Sequence, residues 1–217
     1  MILDESLNVV ENEFSLGELL VSRQYTYDEA NSYISHPEND PVINWKEYWE
    51  LARELKKKRK GVVIEAANKH LGQPTGRFHG RNTPAHILVE ELMILTNTVL
   101  SREFATREIP ALFLNNEEPS ARRYFATSTT GHAPIGARFY GHWTSPLRRY
   151  PDLVNNRILV SYIVGGPHPY TEEELNRIAT ITSDRDAVHR QIQRGREMQA
   201  KKQRRFPRRG AKVAFVA

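Results

Sequence analysis

Two adjacent arginines, Arg148 and Arg149, stand between two prolines and directly before an apolar stretch. Pro146 and Pro151 each fix φ and disfavour a helical conformation in the preceding residue, so the chain between them is a short, rigid connection. Pro151 suits the first position of a helix, and the apolar pattern after it predicts a helix that ends at Gly165–Gly166. Both arginines then precede a helix N-terminus, where free N–H groups and the helix dipole favour phosphate. A surface turn with two solvated arginines fits the same residues equally well.

The positive charge of the chain is concentrated near its end. The 217 residues carry a net charge of +5, with 39% hydrophobic residues. Nine of the 31 basic residues fall between Arg190 and Arg209. Only one of the 26 acidic residues, Glu197, lies in this segment. The rest of the chain is slightly acidic. This segment predicts contact with a polyanion, and a solvated helix face with a disordered tail is the alternative.

The composition also excludes several classes of protein. There are no cysteines, so neither a disulfide framework nor a thiolate metal site is available, which fits a cytoplasmic protein. No apolar run approaches the roughly 20 residues of a membrane helix, and the first residues do not have the pattern of a signal peptide.

Up to residue 60, two strands and two helices are predicted. The strands are Met1–Leu3 and Phe14–Ser22, and Thr26 with Glu29 forms a capping box that opens a short helix through Ile34. An aromatic stripe with helical spacing then leads into a basic run at residues 56–60, where we expect that helix to end. We interpret its tryptophans as core residues. A short strand at residues 61–64 and a loop at 72–80 follow.

The second half predicts a long apolar helix, a strand and a long basic helix. Thr83–Pro84 opens the first helix, which contains the carboxylate pair Glu90–Glu91; we expect one member to face solvent and the other to pair with a core arginine. Ile109–Leu114 is a strand candidate. Thr171 and Glu174 form a second capping box, opening a helix to about Gln203 that is broken only at Gly195.

Three segments, in order along the chain, resemble one known family. Residues 141–157 resemble the Thr-Ser-Pro-Ile-Arg-Arg-Tyr-Pro-Asp-Leu signature of the ribonuclease II and ribonuclease R family, with Leu147 in place of Ile. Residues 85–97 are similar to the family's Val-Glu-Glu-Phe-Met helix, and residues 22–30 to its segment joining a strand to the next helix. The resemblance covers residues 1–205, followed by a basic tail at 206–217. It implies an α+β fold: a partial RNB-type domain, with a mixed sheet packed by several long helices.

The resemblance implies hydrolysis of single-stranded RNA from the 3′ end, with Mg²⁺ held by a cluster of aspartates. In the family these aspartates precede the first segment matched here, so we expect no metal ligands in this chain. The nearest pair, Asp184 and Asp186, is spaced i, i+2 on a predicted helix and makes a poor metal clamp. Two-metal hydrolysis needs carboxylates, so the chain alone is expected to be weak or inactive.

The resemblance also assigns roles to residues of this chain. Arg148 matches the family's active-site arginine, which contacts the phosphates beside the scissile bond. Gln193 aligns, within one position, with a glutamate near the reaction centre, and Tyr27 with a tyrosine that contacts the terminal nucleotide or hydrogen-bonds to the backbone. The predicted RNA-binding residues are Tyr27, His132, Thr144, Ser145, Arg149, Tyr150, Gln193, Arg194, Lys201 and Lys202.

Three functional interpretations remain open at this point. The first is part of a truncated or split 3′-to-5′ exoribonuclease, whose aspartates come from an upstream polypeptide. The second is a catalytically inactive RNA-binding or regulatory module that kept the phosphate site and lost the metal site. The third is a basic helical protein that docks on a ribonucleoprotein through its tail.

Overall fold

The computed structural model describes residues 1–40, 42–69, 83–118 and 121–205, with the backbone alone for 61–69 and 200–205. Its helices are α1 (Tyr27–Ser35), α2 (Trp45–Lys69), α3 (Pro84–Thr106), α4 (Tyr150–Ile163) and α5 (Glu172–Arg205). Its strands are β1 (Ile2–Leu3), β2 (Val9–Glu11), β3 (Phe113–Asn115) and β4 (Tyr124–Ala126). The predicted loop at 72–80 and the tail at 206–217 lie outside the described residues. The α+β class is confirmed, with the described strands forming two small antiparallel sheets.

The N-terminal segment forms a short hairpin, in which β1 pairs antiparallel with β2. The predicted strand at Phe14–Ser22 is wrong, since no strand forms there. Leu19 and Leu20 are 88% and 91% exposed, and none of the described strands offers this segment a hydrogen-bonding partner. The capping box of α1 is confirmed: Glu29 N–H donates to Thr26 Oγ1 at 3.2 Å, and Thr26 N–H donates to the Glu29 carboxylate at 2.8 Å.

Helix α2 is longer than the sequence predicted. It continues through the basic run and Gly61 to Lys69, so the predicted strand at 61–64 is wrong. Contacts with α3 explain this, because Lys56 pairs with Glu90 at 3.7 Å and Arg59 forms two hydrogen bonds with the buried Glu91, at 3.0 and 2.5 Å. The expected pairing of one carboxylate with a core arginine is confirmed.

The main core lies between α3, the β3–β4 sheet, α4 and α5. Strand β3 is fully buried but starts later than predicted, at Phe113. The fully buried apolar side chains of the main core include Phe104, Leu112, Leu114, Val154, Ile158 and Leu175. Helix α5 lies along β4, where Phe125 N–H donates to Ser183 Oγ at 2.8 Å.

Helix α5 is one continuous helix of 34 residues. The predicted capping box at its start is confirmed, with Thr171 N–H donating to Glu174 at 2.8 Å and Glu174 N–H to Thr171 Oγ1 at 3.2 Å. The predicted break at Gly195 is wrong. One glycine costs about 1 kcal/mol in a helix, which a helix this long tolerates. Within the described residues, no helix has the length and apolar character needed to cross a membrane.

Candidate nucleic-acid interface

The loop before α4 holds its two arginines differently. Arg149 is the N-cap residue of α4, which begins at Tyr150, one residue before the predicted start. The Arg149 guanidinium folds back to Asp152, a fully buried carboxylate, at 2.6 Å. The same carboxylate oxygen accepts the Ser145 N–H at 2.8 Å. The prediction that both arginines precede a helix N-terminus is confirmed, and Arg148 is left to project outwards.

Buried amides fix this loop to the core. Asn155 accepts the Leu112 N–H at 2.8 Å and donates to the carbonyls of Leu112 and His142, both at 3.0 Å. Asn97 of α3 accepts the Trp143 N–H at 3.1 Å, and Asn156 donates to the Trp143 carbonyl at 2.7 Å. Because these bonds tie the loop to β3, α3 and α4, the position of Arg148 is set by the core.

A groove of about 580 Å³ lies between this loop and α5. Four arginines line it, against the single carboxylate of Asp186; they are Arg123, Arg148, Arg149 and Arg185. Exposed Tyr150 and Ile181 add an aromatic and an apolar wall. A concave surface with excess guanidinium charge beside a flat ring is suited to a phosphate attached to an apolar group.

The four arginines differ in what they already bind. Arg123 forms two hydrogen bonds with Asp186, at 3.0 and 2.7 Å, and Arg190 also pairs with Asp186 at 3.0 Å. Burial opposes ionisation of Asp186, but these arginines outweigh it and lower its pKa. In contrast, the guanidinium groups of Arg148 and Arg185 are exposed and have no ion pair or hydrogen bond within the described part of the chain. These two are available to an anion.

His142 also lines the groove, and sequence reasoning missed it. Its side chain is 12% exposed, and Nδ1 lies 3.8 Å from Asp152 Oδ2. Burial, together with the charges of Arg149 and Arg123, lowers the pKa of His142 from 6.5 to about 3, so the ring is neutral at pH 7. Its place inside the signature segment, two residues before Thr144, was the one signal that could have found it.

The other predicted residues are divided between the groove and positions away from it. Tyr150 lines the groove, and Ser145 supports it through Asp152. Thr144 is exposed, next to the loop arginines. His132 is 5% exposed behind the groove, where its ring contacts Tyr140, and burial with the charge of Arg123 lowers its pKa to about 4.

Tyr27 lies away from the residues that line the groove. Its ring stacks on His86 in the first turn of α3, with 3.7 Å between the ring centroids. Gln193 is one turn beyond His189 on α5, with 3.3 Å between Gln193 Nε2 and His189 Nε2, and Arg194 is exposed beside it. The side chains of Lys201 and Lys202 lie outside the described residues.

The described residues do not fit a resident metal ion. Among them, no group of three or more histidine and carboxylate side chains is close enough together to hold one. Asp184 pairs with Arg122 at 3.1 Å, and Asp186 is held by Arg123 and Arg190. Both carboxylates are therefore neutralised by arginine, which gives the groove the character of an anion site.

Comparison with known proteins identifies the family. Ribonuclease R of Thermotoga maritima is 20% identical over 249 residues, covering 83% of this chain and 35% of that protein. The mitochondrial exoribonuclease II of Saccharomyces cerevisiae is 25% identical over 228 residues, covering 80% of this chain and 24% of that protein. The chain thus spans about a third or less of these curated relatives.

Solved structures share the fold at low sequence identity. Yeast Ssd1, a pseudonuclease, superposes with a TM-score of 0.63 at 14% identity, over 82% of this chain and 30% of that one. Mycoplasma genitalium RNase R, in complex with ribose methylated single-stranded RNA, gives a TM-score of 0.55 at 16% identity, over 74% of this chain and 36% of that one. The RNB domain family model matches residues 1–127 and 122–165. Since this match covers most of the sequence, the chain belongs to the RNB domain family.

Proposed function

We propose that the chain binds single-stranded RNA in the groove and that Arg148 contacts a backbone phosphate. The observation that carries the proposal is the free guanidinium of Arg148, which is carried on a fixed loop beside the N-terminus of α4 and lines a groove with four arginines and one carboxylate. A guanidinium presents paired N–H donors in the geometry that phosphate oxygens require. Arg185 faces the same groove as a second free cation.

The reaction proposed for the whole enzyme is 3′-to-5′ hydrolysis of RNA, with release of nucleoside monophosphates. Relatives bearing the names ribonuclease R and exoribonuclease II support this reaction class. Arg148 is the proposed catalytic residue of this chain, because a fixed cation beside the scissile phosphate stabilises the charge that develops on its oxygens. The Mg²⁺ ligands would come from an upstream polypeptide, since the described residues contain no cluster of three or more possible ligands, and Asp184 and Asp186 are bound to arginines.

The second candidate function is a catalytically inactive RNA-binding module. It is favoured by the ion pairs of Asp184 and Asp186, which leave the groove a site for anions. The fold shared with a pseudonuclease agrees with it. Both candidates require RNA binding by Arg148, and they differ in whether added aspartate-bearing polypeptide restores hydrolysis.

Binding is tested with a fluorescent single-stranded RNA and the Arg148→Ala variant. We expect a loss of about 1 to 3 kcal/mol in binding free energy, because a charge-assisted contact in a partly dry groove is removed. Arg53→Ala on α2 is the matched control, since Arg53 is exposed and lies away from the groove. Unchanged RNA affinity of Arg148→Ala at low salt would contradict the assignment.

Hydrolysis is tested with uniformly labelled single-stranded RNA and Mg²⁺. The purified chain is expected to release no mononucleotides. Release by this chain alone would show that it has metal ligands of its own, and Arg148→Ala would then be assayed for loss of that activity.

A further inference from the structure

The groove contains a hydrogen-bond acceptor that phosphate binding does not use. His142 lines the groove, and its ring nitrogens have no hydrogen bond to any residue that the structure describes. The neighbouring cations, Arg149 and Arg123, offer only N–H donors. The two oxygens of Asp186 are engaged by Arg123 and Arg190.

The position of the proton on His142 follows from Asp152. Oδ1 of Asp152 accepts from Ser145 and Arg149, while Oδ2 has no hydrogen bond within the described residues and lies 3.8 Å from His142 Nδ1. A buried carboxylate on that side favours the proton on Nδ1 and leaves Nε2 with its lone pair. Burial and the two arginines keep the ring neutral at pH 7.

A phosphodiester alone does not satisfy this arrangement, because its oxygens carry no proton and can only accept. The ligand that fits carries acceptors for the guanidinium groups and, next to them, a donor for the imidazole. In a nucleic-acid strand that donor is the 2′-hydroxyl, which neighbours the phosphodiester in RNA and is missing from DNA. The hydroxyls of Tyr150 and Thr182, which also line the groove, both donate and accept, so they impose no such requirement. The other imidazole of the groove, exposed His189, has Nε2 at 3.3 Å from Gln193 Nε2.

We propose that His142 is a specificity-determining residue whose Nε2 accepts a hydrogen bond from a ribose 2′-hydroxyl, so that the groove prefers RNA to DNA. The proposal rests on the proposed function, since the strand must lie in this groove. Asp152 acts through His142 as a positioning residue.

The first test uses the unaltered chain and three strands of one sequence: RNA, DNA and 2′-fluoro RNA. Fluorine keeps the RNA-like sugar pucker but cannot donate a hydrogen bond. Fluorescence anisotropy is expected to give 2′-fluoro RNA and DNA similar affinities, each roughly five- to tenfold below RNA, the effect of one lost hydrogen bond. Equal affinities for RNA and 2′-fluoro RNA would overturn the proposal.

The second test uses His142→Phe, which keeps a ring but removes the acceptor. RNA affinity is expected to fall to the DNA value while DNA affinity is unchanged, and His142→Gln, which restores an acceptor, is expected to recover part of the preference. His36→Phe, the same change at an exposed position in the loop after α1, is the control. An equal loss for RNA and DNA would overturn the proposal, and circular dichroism checks the fold.

Failure of the proposed function gives a different result. In that case Arg148→Ala leaves the affinities for RNA and DNA both unchanged, because neither strand lies in the groove. If Arg148→Ala weakens both strands but His142→Phe leaves the preference for RNA intact, only the role of His142 is lost. If His142→Phe does not fold, the comparison of RNA with 2′-fluoro RNA still decides the proposal.

Discussion

The two loop arginines differ in their partners, and this difference separates a structural role from a binding role. Arg149 is held at 2.6 Å from Asp152, a carboxylate with no exposed surface. Its removal would leave that charge buried without its cationic partner, which costs stability. Arg148, one residue earlier, has a free guanidinium and lines the groove. A change at Arg148 therefore acts on the ligand, whereas a change at Arg149 acts on the loop that presents it.

In the proposed function, Asp186 competes with RNA for Arg123 of the groove. It occupies Arg123 and Arg190, so Asp186→Asn frees two guanidinium groups and is expected to raise RNA affinity about two- to fivefold at low salt. Asp184→Asn is the matched control, with a smaller effect, because Asp184 pairs with Arg122 outside the groove. Binding measured in EDTA removes any contribution of metal. A loss of affinity in Mg²⁺ that disappears in EDTA would mean that Asp186 is a metal ligand.

Two buried histidines predict that acid destabilises the protein. The pKa values of His142 and His132 are lowered to about 3 and about 4 in the folded chain, from 6.5. Between pH 6.5 and 4 the unfolded chain binds more protons, so the unfolding free energy falls as pH decreases through this range. Urea titrations between pH 7.5 and 5 would measure the slope, and His132→Phe is expected to reduce it most near pH 5, by up to about 1.4 kcal/mol per pH unit. Identical slopes would contradict the assignment.

A buried ion pair joins helices α2 and α3. Glu91, 2% exposed, accepts two hydrogen bonds from Arg59, while the neighbouring Glu90, whose side chain is 25% exposed, pairs with Lys56. Glu91→Ala removes both of these hydrogen bonds from the partly buried guanidinium of Arg59 and is expected to cost about 1.5 to 3 kcal/mol of unfolding free energy. Glu90→Ala, the control, is expected to cost less than about 1 kcal/mol. Chemical denaturation of both variants measures the difference, and equal losses would contradict it.

Sequence patterns predicted the elements whose signals are local. Both capping boxes and the helix after the arginine pair depend on residues within one turn of each other, and all three are present. The length of α2 depends on its ion pairs with α3. A strand at 14–22 would need a neighbouring strand as its hydrogen-bonding partner, and none of the described strands provides one. The groove joins the loop before α4 to β4 and α5, so no local pattern could place Arg123 or Arg185 beside Arg148.

At the scale of the whole molecule, the basic groove and the basic half of α5 predict two kinds of contribution to RNA binding. Exposed Arg194, with Lys201 and Lys202 on the same helix, provides attraction to phosphates that does not depend on sequence. Replacing these three by alanine is expected to reduce the slope of log affinity against log salt by about 2, since each phosphate neutralised on a single strand contributes about 0.7. Arg148→Ala removes only one such unit of slope, but it also removes a contact in the groove. The loss of RNA affinity in this variant should therefore persist at high salt. Anisotropy titrations from 50 to about 300 mM salt separate the two, and an unchanged slope in the triple variant would exclude α5 from the RNA contact.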